Sequence, residues 1–236
     1  MYTIYQNEAL TQLRKLPSQE ADTLLTDPPY CSGGSSETAK MQAKYQGGIS
    51  SDRDKQTWFV GDNMTTGGLV WLLREVLVES FRVLKPDASA LIFTDWRMIH
   101  HLVPALESAG FRYRNLVVWD KNSIGTGSGF RPRHEMILHF TKGKFAPQVK
   151  NVGNVIPCNR VPGTQRVHPT QKPLPLLKNL IQVTTPEKGV VLDPFMGSGS
   201  TGVAAEHLNR DFIGIERDPT IYQSAEDRLT NITLSI

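Results

Sequence analysis

The run Thr23-Leu24-Leu25-Thr26 opens into Asp27-Pro28-Pro29-Tyr30, and each residue type in the second tetrad suits work on an aromatic amine. The exocyclic amine of adenine or cytosine is a poor nucleophile because its lone pair is delocalised into the ring. Two acceptors on its hydrogens draw the nitrogen toward a tetrahedral shape and free that pair. Asp27 supplies one acceptor and can accompany proton loss. The backbone carbonyl of Pro28 supplies the other, since Pro28-Pro29 fixes the turn and carries no competing N–H. Tyr30 offers an aromatic face on which a base taken out of a helix can stack. Read without chemistry, the same residues are a strand ending in a Pro-Pro turn.

A second segment runs Val190-Val191-Leu192-Asp193-Pro194-Phe195-Met196-Gly197-Ser198-Gly199-Ser200-Thr201. An apolar strand enters a glycine turn and then opens a helix. Gly197 and Gly199 permit positive φ and a close ligand approach, and the free N–H groups of a helix start favour negative charge. Glu216 follows Gly197 by nineteen residues, at the end of the strand Phe212–Ile215, placed to accept from both ribose hydroxyls of a nucleoside. A simple tight turn and a dinucleotide site share this pattern. Against a dinucleotide, Asp193 would repel a pyrophosphate but suits the ammonium of a methionine moiety. The unit also lies late in the chain, whereas a dinucleotide unit usually comes first.

The elements able to position these groups alternate as strand and helix, which favours an α/β, doubly wound, mostly parallel sheet with helices on both faces. Short strands are expected at Thr3–Tyr5 and Thr23–Thr26, joined by a helix around Ala9–Leu16. The apolar spacing of Leu69–Leu84 predicts a helix. Pro86-Asp87 is a turn and Ala88–Thr94 a buried strand. Arg97–Ala109 reads as a helix ended by Gly110, with Pro104 marking a kink or a later start. Strands follow at Phe111–Trp119 and Glu135–Thr141, then a helix at Pro173–Val183. The strand Val190–Asp193, helix Thr201–Leu208, strand Phe212–Ile215 and helix Thr220–Leu229 complete the pattern. Two stretches lack periodicity: about 31–68, expected to be a mobile loop, and Ser123–Gly129.

At 236 residues, with 39% hydrophobic and 21% charged residues, the chain suits a single domain over 1–236 with a full core. No apolar run approaches a membrane span and no leader is seen. Cys31 and Cys158 are far apart and make neither a disulfide framework nor a zinc site. A reducing, cytoplasmic setting and no metal are expected. The net charge of +3 hides an asymmetry. Between Lys121 and Lys178 ten basic residues face one acid, Glu135, so this span carries +9 and the remainder −6. A polyanion docking on one region accounts for this, as does a solvated basic face.

Together these motifs resemble the amino-methyltransferases of DNA, in the permuted (beta) class whose catalytic motif precedes the cofactor motif. The resemblance covers nearly the whole chain. Leu84-Lys85-Pro86 followed by Ala90–Asp95 is similar to the family segment that puts a strand-end acid near the cofactor. His168-Pro169-Thr170-Gln171-Lys172-Pro173 resembles the segment preceding the helix that closes the cofactor pocket. Arg133-His134-Glu135 with Ile137–Phe140 resembles the strand before target recognition. The resemblance implies a Rossmann-like methyltransferase fold and S-adenosyl-L-methionine as cofactor. It also implies catalysis by Asp27, Pro28, Pro29 and Tyr30 on adenine N6, with cytosine N4 as the alternative. The cofactor residues implied are Glu8, Asp27, Asp95, Thr170, Lys172, Asp193, Phe195, Gly197, Ser198, Gly199, Ser200, Thr201 and Glu216. Glu8 stands in Asn7-Glu8, where the family usually has Gly-Asp. Asp95 could instead cap the helix after it, and His168 could be a turn or core histidine. A non-catalytic cofactor- and DNA-binding module is the competing reading.

Double-stranded DNA is the partner implied. The basic span overlaps the place of a short target-recognition insertion, about 143–167. Candidate phosphate contacts are Lys121, Arg131, Arg133, Lys142, Lys144, Lys150, Arg160 and Arg166, and Asn151, Asn154, Asn159 and Gln165 could read base edges. So short a segment suggests a short target site, with a homodimer as one way of reading it. A restriction endonuclease encoded nearby is a further partner of such enzymes.

Overall fold

The computed structural model describes residues 1–29, 65–125, 128–162 and 171–233. Strands β1 (Tyr2–Gln6), β2 (Ala21–Thr26), β3 (Leu84–Thr94), β4 (Arg112–Asp120), β5 (His134–Thr141), β6 (Val155–Pro157), β7 (Val190–Asp193) and β8 (Asp211–Glu216) form one sheet. Its order is β1-β8-β7-β2-β3-β5-β4-β6. Only the pairings of β5, with β3 and with β4, are antiparallel. The doubly wound α/β fold expected from the alternating pattern is therefore the fold observed.

Six helices among the described residues cover the faces: α1 (Ala9–Leu13), α2 (Thr66–Val83), α3 (Ile99–Ser108), α4 (Leu174–Thr184), α5 (Ser200–Glu206) and α6 (Pro219–Thr233). Successive strand residues point to opposite faces, and the two cores follow that alternation. Leu24, Ile92, Leu138 and Phe140 pack with Leu13, Leu73, Leu77 and Leu102 of α1–α3. Their sequence neighbours Leu25, Leu91, Phe93 and Ile137 pack with Leu176, Leu180, Val203 and Leu229 of α4–α6. No helix among the described residues is long and apolar enough to cross a membrane.

Several boundaries depart from the sequence pattern, for local reasons. Helix α2 starts a turn earlier than its apolar spacing implies, because the Thr65 hydroxyl accepts from Gly68 N–H and caps it. Residues 65–68 thus cap and open a helix rather than belonging to the loop expected over 31–68, and the rest of that loop, 31–64, lies outside the described residues. Helix α1 ends at Leu13, short of the expected Leu16. The expected turn at Pro86-Asp87 falls inside β3, where Asp87 adopts a left-handed φ of 63° and the register with β2 shifts. Strand β6 has no counterpart in the pattern. It is three residues long, and its pairing with β4 rather than any periodicity makes it a strand.

Candidate active site

The sheet gathers the chemically competent residues on one edge. Strands β1, β8, β7, β2 and β3 run parallel, so the segments after Gln6, Glu216, Asp193, Thr26 and Thr94 all leave from the carboxyl side. Strand β5 runs the other way, which brings its first residues, His134 and Glu135, to that edge beside the end of β4. In doubly wound sheets this edge is where ligands bind.

Asp27 emerges there beside Asp193, because β2 and β7 are neighbours. Thr26 donates its hydroxyl to Asp193 Oδ1 at 2.8 Å and locks the two strand ends together. Asp27 itself is engaged by Lys172, whose Nζ lies 2.5 Å from Asp27 Oδ2 and 3.3 Å from Glu135 Oε2. Lys121 Nζ, 2.5 Å from Glu135 Oε1, completes an alternating chain of charges. The two ammonium groups also stand near aromatic rings, Lys172 at 4.9 Å from the centroid of Phe93 and Lys121 at 5.1 Å from that of Trp119. Burial works against the charge on Lys172, but Asp27 and Glu135 outweigh it and raise its proton affinity above that of an ordinary lysine. Burial likewise opposes the charge on Glu135, and Lys172 and Lys121 outweigh it, holding this carboxyl below the usual range.

The glycine turn is built against β8. Met196 N–H donates to Ile215 O at 3.0 Å, Gly197 and Gly199 have φ of 51° and 75°, and Gly199 caps α5. A Cβ on Gly199 would meet Ala225 Cβ at 3.2 Å, whereas one on Gly197 would meet nothing within 4 Å. Gly199 is needed for packing, and Gly197 leaves open room. Glu216 borders that room. Its Oε2 accepts from Gly197 N–H at 3.2 Å and its Oε1 from Asp218 N–H at 2.9 Å, while burial pushes its carboxyl above the ordinary value. Open space at Gly197 beside a partly exposed carboxylate fits the ribose end of a nucleoside cofactor. Phe195 is half-buried, whereas Ser198, Ser200 and Thr201 are buried in the turn and in α5. Arg228 donates to Ser198 O and to Ser200 Oγ.

Residues 21–227 match the family model for N6/N4 DNA methylases. The chain belongs to that family. The type II methyltransferase M.HpaI of Haemophilus parainfluenzae is 29% identical, over 94% of this chain and 72% of the relative. The crystal structure of the M1.HpyAVI complex with S-adenosylmethionine superposes with a TM-score of 0.71 at 27% identity, covering 97% of this chain and 99% of that one. The cytosine-N4-specific PvuII DNA methyltransferase shares the fold, with a TM-score of 0.73 at 16% identity over 98% and 90% of the two chains.

In this DNA methylase the remaining candidates fall into three groups. Some are engaged in holding the fold. Asp193 is buried and faces Thr26, Phe195 N–H and the Thr201 hydroxyl rather than solvent, and burial pushes its pKa up to about 7. It therefore braces the turn, with its carboxyl buried rather than exposed. Glu8 caps α1, accepting from Leu10 N–H at 3.0 Å and Thr11 N–H at 2.7 Å. Asp95 accepts from Arg97 N–H at 2.8 Å and pairs with its guanidinium. Both acids nonetheless stand on the carboxyl edge.

The basic span, read as one docking strip, divides in the structure. Lys121 and Lys172 belong to the alternating chain of charges around Glu135. Arg133 grips Asp120 through two hydrogen bonds of 2.6 and 2.7 Å. Lys142 lies at the opposite edge of the sheet, its Nζ donating to Phe81 O and Leu84 O, so a phosphate contact there is corrected to a structural one. Lys144 is anchored beside it through its N–H to Asp87. Asn154 donates to Leu116 O at the β4–β6 junction, Asn159 accepts from Asn122, and Asn151 occupies a left-handed turn. Arg131, Lys150 and Arg160 are exposed. Tyr30, Gln165, Arg166, His168 and Thr170 lie outside the described residues.

Two contributors escaped the sequence reading. Glu135 entered as the one acid in a basic span and as part of the strand before target recognition, with no role at the site, although a lone acid opening an apolar strand is a signal of buried pairing. Gly202 packs α5 on the sheet, since a Cβ there would meet the Phe212 ring at 2.7 Å.

Proposed function

We propose that this DNA methylase transfers a methyl group from S-adenosylmethionine to the N6 amine of an adenine flipped out of double-stranded DNA. The observation that carries the reading is Asp27, held as an acceptor on the strand next to the one that opens into the glycine turn. The cofactor supplies a sulfonium-bound methyl, so the carbon–sulfur bond breaks as the nitrogen–carbon bond forms. Asp27 accepts a hydrogen bond from the amine and draws off its proton, and the Pro28 carbonyl holds the other hydrogen. Glu216 accepts from the ribose hydroxyls, and Gly197 leaves room for the moiety between them. Asp-Pro-Pro-Tyr favours adenine over cytosine by resemblance within the permuted class, in which Asp27–Tyr30 precedes Asp193–Gly199. Tyr30 supplies the stacking face, and Arg131, Lys150 and Arg160 offer exposed cations to phosphates.

The test is methylated-base analysis of DNA from a methylation-deficient host expressing the chain. N6-methyladenine supports the reading, and mapping it reveals the target. N4-methylcytosine moves the base while keeping the mechanism, and the absence of both overturns the reading. Asp27→Ala should abolish transfer and leave cofactor binding largely intact.

A further inference from the structure

Asp27 does not stand alone at the end of β2. Lys172, buried, arrives from the segment before α4 and touches both Asp27 and Glu135 of β5. Lys121, from the end of β4, closes the far side of Glu135. The Phe93 ring of β3 packs against the Lys172 ammonium and limits where it can turn. At the end of the neighbouring β7, the carboxyl of Asp193 stands near enough to feel the charge of Asp27. Among the described residues, the carboxyls of Glu135 and Asp193 stand near Asp27, and the Lys172 ammonium is in direct contact with it.

The geometry points to Lys172 and Glu135 as positioning residues for Asp27, with Lys172 fixing the orientation and charge of the Asp27 carboxylate and Glu135 fixing Lys172. The inference rests on Asp27 being the acceptor for the target amine. A carboxylate near like charges tends to take up a proton, and a contacting cation opposes that. A protonated Asp27 would have lost the lone pair it offers to the amine hydrogen. Asp27 first and Glu135 with it let the buried lysine stay charged where desolvation would otherwise neutralise it, and Glu135 is the partner that does so from outside the reacting site. Neither residue needs to touch base or cofactor to act in this way.

The test follows the Asp27 carboxyl by carbon-13 NMR of aspartate-labelled full-length protein, with the resonance assigned through Asp27→Asn. In Lys172→Met, which removes the cation in contact with Asp27, the protonation midpoint should rise above that of the wild type. The acid limb of kcat should move up with it, with a loss of up to ~100-fold near neutrality from misplacement. Cofactor affinity, measured by calorimetry, should stay close to that of the wild type. Lys172→Arg should restore the midpoint and the pH profile. An unmoved midpoint in Lys172→Met overturns the inference, because a lysine that only supports the fold leaves that titration alone. Should Lys172→Met fail to fold, the double variant Lys172→Met/Glu135→Gln removes both charges together. Its midpoint should still lie above that of the wild type, since the contacting cation is gone, and a midpoint at or below wild type overturns the inference. Failure of the wild type to methylate DNA would overturn the proposed function instead, since the NMR midpoint is read without turnover.

Discussion

Thr26 donates its hydroxyl to Asp193 at 2.8 Å, a buried hydrogen bond between residues 167 positions apart that joins β2 to β7. Thr26→Val keeps the shape and removes the donor, leaving a buried carboxyl short of one partner. Such a loss costs about 1–3 kcal/mol. Thermal unfolding should show a lower Tm, and cofactor affinity should fall because the braced turn loosens. A Tm equal to wild type would show that water replaces the bond without cost.

Asp193 and His139 should pull stability in opposite directions as pH changes. Burial pushes Asp193 up to about 7 from 3.8, so its contribution is full below the unfolded value and is lost as pH rises through 7. Burial pushes His139 down from 6.5 to about 4, with the charge of Arg114 adding to it. That contribution is full above 6.5 and is lost as pH falls through about 4. The two slopes oppose one another in the overlap. Asp193→Asn should therefore lose stability on acidification more steeply than the wild type, and His139→Gln less steeply. Urea denaturation between about pH 4.5 and about pH 8 reads both. Parallel curves for Asp193→Asn and wild type would mean that Asp193 does not titrate in this range.

Gly197 and Gly202 separate binding from packing. In Gly202→Ala the new Cβ presses on the Phe212 ring at 2.7 Å and on Leu229 at 3.0 Å. Overpacking of this kind costs about 1–3 kcal/mol and should appear as a lower Tm. Gly197→Ala meets no neighbour within 4 Å and pays only for its left-handed φ of 51°, about 1–2 kcal/mol. Its Cβ enters the proposed cofactor space, so calorimetry should show a larger loss of S-adenosylmethionine affinity than for Gly202→Ala. Equal affinity losses would place the cofactor elsewhere.

Arg131 and Lys142 should respond differently to salt. Arg131 is exposed, with its guanidinium Nε on Gly125 O, whereas Lys142 is spent on the carbonyls of Phe81 and Leu84. Arg131→Ala should weaken DNA binding and reduce the log–log salt slope by about one. Lys142→Ala should leave that slope unchanged and cost about 1 kcal/mol of stability. A reduced slope for Lys142→Ala would reassign it to the DNA face.

The strand Val190–Asp193 was legible to the residue, and the glycine turn after it kept its place, because a short apolar run bounded by Pro and Gly has few other uses. The helix start at Thr66 was not, since Gly67 and Gly68 weaken the helical signal that Thr65 restores by capping. Strand β6 was invisible for a different reason. Val155–Pro157 has no pattern of its own and is a strand only because Asn154 and Val118 place it against β4.

The sequence alone determined the alternation of strand and helix, the two motifs and their order, since these depend on residue types within a few positions of one another. Only the tertiary structure decided which charges do what. Lys172 meets Asp27, 145 positions away, while Lys142, expected at a phosphate, holds a helix end. Ion pairs form over a few ångströms, and the strand order, placing β5 beside β3 and β7 beside β2, sets which distant residues come that close.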